Sequence, residues 1–192
     1  MESARCSGGV VDLDLASPAS SMTLGLESGV VRLVPYDPAW PGLFVAEAER
    51  LQKFFTAAGL VVLLEHTGST AIPGLPAKPV LDILAGCPEG ASVADYIDAL
   101  ARADYVHRGE QGIPGREFFR RGNPRSYHLH LAAVDSAFWR DHLTFRNRLR
   151  ADKSLRDAYA ALKHDLAARF PRDRESYIEG KEPFVKEILR TS

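Results

Sequence analysis

The sequence predicts an α+β fold, a mixed β-sheet packed with helices and followed by a helical C-terminal part. Two observations carry this. One helical stretch, two strand-length apolar runs, a second helical stretch and a hairpin pattern follow one another, and after residue 135 apolar residues recur at helical spacing. The 192 residues are 45% hydrophobic and 26% charged, which suits one globular core and excludes a disordered chain, a fibre or a membrane protein.

Residues 1–29 are rich in Ser, Gly and Ala and lack aromatic residues, and Asp12, Asp14 and Glu27 stand where a signal peptide would be basic or apolar. So few large apolar side chains do not offset a backbone ordering cost of roughly 1–2 kcal/mol per residue, so this stretch reads as a disordered lead. The folded domain is then 30–192, and Met22 is an alternative start. A competing reading makes Val10, Val11, Leu13 and Leu15 a strand.

Residues 30–34 read as a short strand or an extended lead-in. Asp37-Pro38 and Trp40-Pro41 are helix-start chemistry, and Leu43, Phe44, Ala48, Leu51, Phe54, Phe55 and Ala58 recur at helical spacing until Gly59 offers a left-handed cap. Residues 60–66 and 79–86 are runs of strand length, joined by a Gly/Pro/Ser-rich connection over 67–78. Ser92 with Asp95 three residues on reads as a capping box opening a helix to Ala103, with a short strand about Tyr105 and Val106. Residues 116–121 and 126–134 read as an antiparallel hairpin around Gly122-Asn123-Pro124-Arg125. Helices are expected over 136–150, 153–170 and 173–190, the last broken near Gly180 and Pro183.

Charge and cysteine usage narrow the function classes. The 24 Lys and Arg against 25 Asp and Glu leave a formal net charge of -1, so bulk nucleic-acid or anionic-lipid binding is not expected and any anion site must be local. Cys6 and Cys87 supply no disulfide framework, which points to the cytoplasm. No apolar run approaches the roughly 20 residues of a membrane helix.

The chemistry concentrates in residues 65–83. A strand that ends in Gly68-Ser69 brings backbone N–H groups and a hydroxyl to an exposed turn with no Cβ in the way, as an approaching phosphate requires. Asp82 on the next strand can hold a hard cation beside it; an ordinary structural turn is the competing reading.

Glu65-His66 with Gly68-Ser69-Thr70, then Pro73-Gly74-Leu75, Lys78-Pro79 and Asp82-Ile83, resembles the GrpB family. The resemblance extends through Tyr36, Asp37-Pro38 and Trp40, His128-Leu129-His130, Phe145-Arg146, Tyr159, Leu162-Lys163 and 177–181, covering roughly residues 30–190. It implies a nucleotidyltransferase-like fold, in which a Gly-Ser turn lies near carboxylates that bind divalent metal and position a nucleotide triphosphate. A related domain fused to dephospho-CoA kinase points to nucleotides or phosphorylated metabolites. One departure matters: active members of that superfamily carry carboxylates two residues apart, and here Leu84 follows Asp82.

Replacement ligands would come from Glu65, at the end of the preceding strand, and from His128 and His130, which share one strand face while Leu129 and Leu131 take the other. Asp82, Glu65, His128 and His130 would form an N/O site better suited to Zn or Mn than to Mg, with Asp82, Glu65 and His130 as the catalytic candidates. Alternatively, Asp82 and His130 hydrogen-bond one another or a backbone group and hold the turn without metal, or the histidines contact an anion. His66 faces away from Glu65 and reads as a core histidine bonded to a carbonyl.

Candidate ligand contacts are Gly68, Ser69, Thr70 and Lys78, with Arg116 and Arg120 sharing one face of the first hairpin strand while Arg121 points away. Arg146, Arg150, Lys163 and Lys181 are candidates for a basic rim, though most such helix residues face solvent. Lys181 is the best of them, because a helix break there would expose backbone N–H groups. Three functions follow: nucleotidyl or phosphoryl transfer, a non-catalytic module binding a nucleotide or CoA-like metabolite, and Zn- or Mn-dependent phosphoester hydrolysis.

Overall fold

The computed structural model describes residues 24–190. Helix α1 spans Trp40–Ala57, started by Pro41 in its first turn and by Asp37, whose Oδ1 accepts the Ala39 N–H. Strand β1 is Leu63–Thr67 and β2 is Leu81–Cys87; helix α2 spans Val93–Arg102. Strand β3 is Val106–His107, β4 is Glu117–Arg121 and β5 is Tyr127–Ala133. Four helices follow: α3 (Ala137–Ala151), α4 (Lys153–Arg169), α5 (Arg174–Glu179) and α6 (Glu182–Arg190).

The strands form one sheet in the order β1-β2-β5-β4-β3, in which β2 and β5 are parallel and the other neighbours antiparallel. The mixed sheet and the helical C-terminal part are as the sequence pattern predicts. Three local differences have physical reasons. β1 begins at residue 63 because the Leu60 N–H still serves the Phe55 carbonyl as the chain leaves α1. Residues 30–34 contribute only an isolated bridge, Val34 with Ala77. The split between α5 and α6 falls at Gly180 and Lys181, while Pro183 occupies the first turn of α6, where its missing N–H is harmless.

The reading of 1–29 as a disordered lead falls mostly outside the described residues, as does the alternative strand at Val10, Val11, Leu13 and Leu15. Over 24–29 it is corrected. The Gly25 N–H donates to the Pro79 carbonyl, and Leu26, 3% exposed, bridges to Arg125. One buried leucine and two backbone bonds suffice to dock this segment.

Register divides the sheet into two faces with different work. Ile83, Ala85, Leu129, Leu131 and Phe119 face α1 and α2 and pack with Leu51, Phe55, Tyr96 and Leu100. Glu47 of α1 is buried on this side, where it accepts from Arg50, Arg121 and Tyr105. Arg121 thus points away from Arg120, as strand parity predicts. Cross-strand partners place Thr67, Asp82, His128 and Arg120 in one row of the opposite face, and Glu65, Leu84, His130 and Phe118 in the next. Helix α3 closes over this face through Trp139, which requires Gly86: a Cβ there would lie 2.6 Å from the indole.

Candidate functional site

Gly68 turns the chain out of β1 with φ 67 and ψ -171, a combination essentially restricted to glycine, and leads into a single 3-10 turn at Ser69–Ala71. A Cβ at this position would sit 2.3 Å from Asp82 Oδ2. The Gly-Ser turn and the carboxylate therefore touch, and only a glycine permits it. On its other side, Asp82 Oδ1 is 3.0 Å from His128 Nδ1. Burial opposes the Asp82 charge, but the His128 hydrogen bond, with His130 and Lys78 nearby, outweighs it and holds the carboxyl well below the usual range. Burial lowers the His128 pKa, so a neutral ring donates Nδ1–H to Asp82 and leaves Nε2 buried with no partner among the described residues.

A cavity of about 450 Å³ opens in front of this pair. Its walls include the turn itself, Lys78 and Arg116, and from the C-terminal helices His142, Tyr159, Lys163, Arg174, Tyr177 and Lys181. Five cationic side chains and three imidazoles thus surround Asp82, the one carboxylate in the lining. Lys181 and Lys78 approach the Tyr177 ring at 4.6 and 5.3 Å from its centroid, and Lys163 lies 5.2 Å from that of Tyr159 while donating to the Pro76 carbonyl. Burial, reinforced by neighbouring cations, lowers Lys78 and Lys163 to about 7 and Lys181 to about 8. Burial likewise lowers His130 to about 3. Because Arg116 Nη1, 3.2 Å away, can only donate, His130 Nδ1 must accept and the ring is neutral.

The structure brings most of the predicted residues together. Gly68, Ser69, Thr70, Lys78, Asp82, Arg116, His128, His130 and Lys181 all line the cavity. Glu65 does not. It forms an ion pair with Arg146 at 2.6 Å, and the fully buried Leu84 separates it from His130 in their row. Glu65 is therefore not placed as a ligand or catalytic group of this cavity. Among the described residues, no three of His, Cys, Asp and Glu converge as metal ligands, so the four-residue N/O set is not assembled. Arg120 also lies outside the lining, its guanidinium 5.2 Å from the Phe118 centroid.

Smaller readings change as well. The residue bonded to Asp82 is His128 and not His130, because it is His128 that stands beside Asp82 in register. His66 is indeed buried on the other face, stacked on Phe44, but its Nε2 meets the Thr70 hydroxyl at 3.0 Å and not a carbonyl. The backbone at the α5–α6 break is not free: the Gly180 and Lys181 N–H groups donate to Ser176 and Ile178. Arg146 is buried and ties the Glu65 carboxylate and the His66 carbonyl together, and Lys163, 1% exposed, points inward.

Sequence reasoning missed His142 and Arg174. Each had a signal. His142 shares a helical stripe with Phe138 and Phe145, and Arg174, Tyr177 and Lys181 recur at i, i+3 and i+7.

A family model described as "GrpB protein" matches residues 30–191. The chain belongs to the GrpB family. A UPF0157 protein of Pseudomonas aeruginosa is 39% identical over 83% of this chain and 66% of its own length, and UPF0157 protein YqkA of Bacillus subtilis is 34% identical over 81% and 45%. The chain therefore spans between about half and two thirds of these relatives. A dephospho-CoA kinase of Mycolicibacterium paratuberculosis is 30% identical over 83% of this chain and 45% of its own. The crystal structure of GrpB from Enterococcus faecalis superposes with a TM-score of 0.74 at 33% identity, covering 83% of this chain and 96% of that one. A Cid1 poly(U) polymerase structure, described as MgGTP bound, reaches 0.52 at 13% identity over 70% and 44%, which shows a nucleotidyltransferase-like fold and nothing finer. No helix among the described residues is long and apolar enough to cross a membrane.

Proposed function

We propose that the protein binds a phosphorylated small molecule, a nucleotide being one form of it, in the cationic cavity, without needing a metal held by the protein alone. The observation that carries this reading is the charge imbalance of the lining: five cations face one carboxylate, which is already bonded to His128. Buried positive charge without a counter-ion is unfavourable, and the depressed lysines express that cost as lost protons. A phosphate over the Gly68-Ser69 turn restores both. It supplies acceptors for Lys78, Lys163 and Lys181 and for Arg116, whose Nε is buried without a partner. His128 Nε2 can take a ligand proton, with Asp82 steadying the charged ring. The kinase name of one relative and the polymerase fold of another agree with phosphate-bearing ligands.

A second reading, metal-dependent nucleotidyl or phosphoryl transfer, is favoured by one feature. His128 occupies Oδ1 of Asp82, and Oδ2 remains beside the turn. One carboxylate does not hold two ions, so Mg or Mn would depend on phosphate oxygens for its remaining ligands. The two readings assign opposite signs to one variant. In thermal-shift titrations with ATP, AMP and inorganic phosphate, each with EDTA or with Mg or Mn, the binding reading expects stabilisation in EDTA that Asp82→Asn keeps or strengthens. Stabilisation seen only with metal and abolished by Asp82→Asn selects transfer, and no response to any phosphate refutes both.

A further inference from the structure

A second group of cations adjoins the cavity. Arg120 lies beside His128 in register, so it continues the row of Thr67, Asp82 and His128 on the functional face of the sheet. Arg125 stands in the connection between β4 and β5 and is only 6% exposed. Arg174, at the start of α5, reaches the same place from the helical side and also lines the cavity. Burial disfavours the charged forms of Arg120 and Arg125, and nearby cations add to it: Arg174, Arg125 and Arg108 act on Arg120, and Arg174 acts on Arg125.

These arginines have no matching anion. Among the described residues, none of the three forms an ion pair or a side-chain hydrogen bond, and the Nε atoms of all three, with Nη2 of Arg125, are buried and unpartnered. Asp82 is the one carboxylate acting on Arg125, and His128 already engages it. The fold nevertheless builds this place deliberately. The Leu26 N–H donates to the Arg125 carbonyl, and the buried Leu26 side chain closes the segment over the turn. Guanidinium groups whose buried nitrogens are left without acceptors suit a tetrahedral oxyanion that accepts in pairs.

We propose that Arg120, Arg125 and Arg174 form a second phosphate subsite adjoining the lysine-lined cavity, so that the ligand carries two separated anionic groups: one over Gly68-Ser69 and one held by the arginines. This rests on the phosphate-binding reading of the cavity and narrows it to a doubly phosphorylated molecule or one with an extended polyphosphate.

Crystals of the full chain soaked in sodium tungstate, which stands in for phosphate, test it. Two bound anions are expected, one among Lys78, Lys163 and Lys181 and one touching at least two of the arginines. Arg120→Gln crystals should keep the first and lose the second. An anion among the lysines alone overturns this inference and leaves the cavity reading standing; no anion at either place overturns both. In solution, Arg120→Gln should weaken tripolyphosphate binding by about tenfold, and unchanged affinity counts against the subsite. Removing one of several mutually repelling cations should leave the unliganded Tm unchanged or higher. A drop of several degrees would make Arg120 a structural residue and refute the assignment.

Discussion

Gly68→Ala is the sharpest probe of how the site is built. Two penalties act on the new methyl group. The backbone conformation, φ 67 with ψ -171, costs a non-glycine residue on the order of 1–3 kcal/mol. The added Cβ lies 2.3 Å from Asp82 Oδ2 and 2.9 Å from its Cβ and Cγ, and moving a half-buried side chain that is anchored to His128 costs about 1–3 kcal/mol more. A total of about 2–6 kcal/mol corresponds to a Tm lowered by roughly 4–24 °C for a domain of this size. Gly74→Ala is the control, since Gly74 has φ 78 but nothing within 4 Å of its Cβ position; it should lose only the conformational part, about 1 kcal/mol. A double-mutant cycle then isolates the contact. Gly68→Ala with Asp82→Ala should be less destabilised than the sum of the single variants by about 1 kcal/mol or more, because truncation removes the atoms the methyl group meets. Strict additivity in thermal or urea unfolding would show that the turn and the carboxylate do not press on one another and that their contact does not require a glycine here.

The lysine cluster makes a pH prediction with two opposite signs. Lys78 and Lys163 near 7 and Lys181 near 8 lie below the ordinary lysine value, so the unfolded chain binds more protons between about pH 7 and 10, and the unliganded protein gains stability as pH rises through that window. Phosphate binding runs the other way: about two protons are taken up per phosphate at pH 8, affinity falls as pH rises, and calorimetry in buffers of different ionisation enthalpy reads the uptake directly. Zero uptake would mean that the lysines do not meet the anion. On the other face of the sheet, Glu47→Gln leaves Arg50 and Arg121 with a weaker acceptor. Both arginines are partly solvated, so the expected loss is about 2–3 kcal/mol in urea unfolding, with phosphate affinity unchanged; a binding defect would contradict the separation of the two faces.

Much of the site was legible because strand parity and turn chemistry are local. The pairing of His128 with His130 on one face, the opposite directions of Arg120 and Arg121, and the special backbone at Gly68 all follow from side-chain alternation and from the missing Cβ of glycine. Glu65 was misplaced because parity decides a face and not a neighbour. It shares the correct face with Asp82, yet Leu84 stands beside it in register and Arg146 arrives from α3, 81 positions away in the chain, to take its charge. Lys163 and Arg174 were hard to single out for a related reason: a cation on an amphipathic helix looks the same in sequence whether it meets water or a cavity.

From its own sequence this chain determined its element order, a mixed sheet with helical cover, and a Gly-Ser turn beside a solitary carboxylate, since these depend on periodicity, backbone freedom and residues close together in the chain. Only the tertiary structure decided that the cavity is cationic and that Glu65 turns to Arg146 instead of joining Asp82, His128 and His130 there. That outcome depends on which charges from α3, α4 and α5 are packed against the sheet, and Coulomb interactions act through space across separations that sequence spacing does not encode.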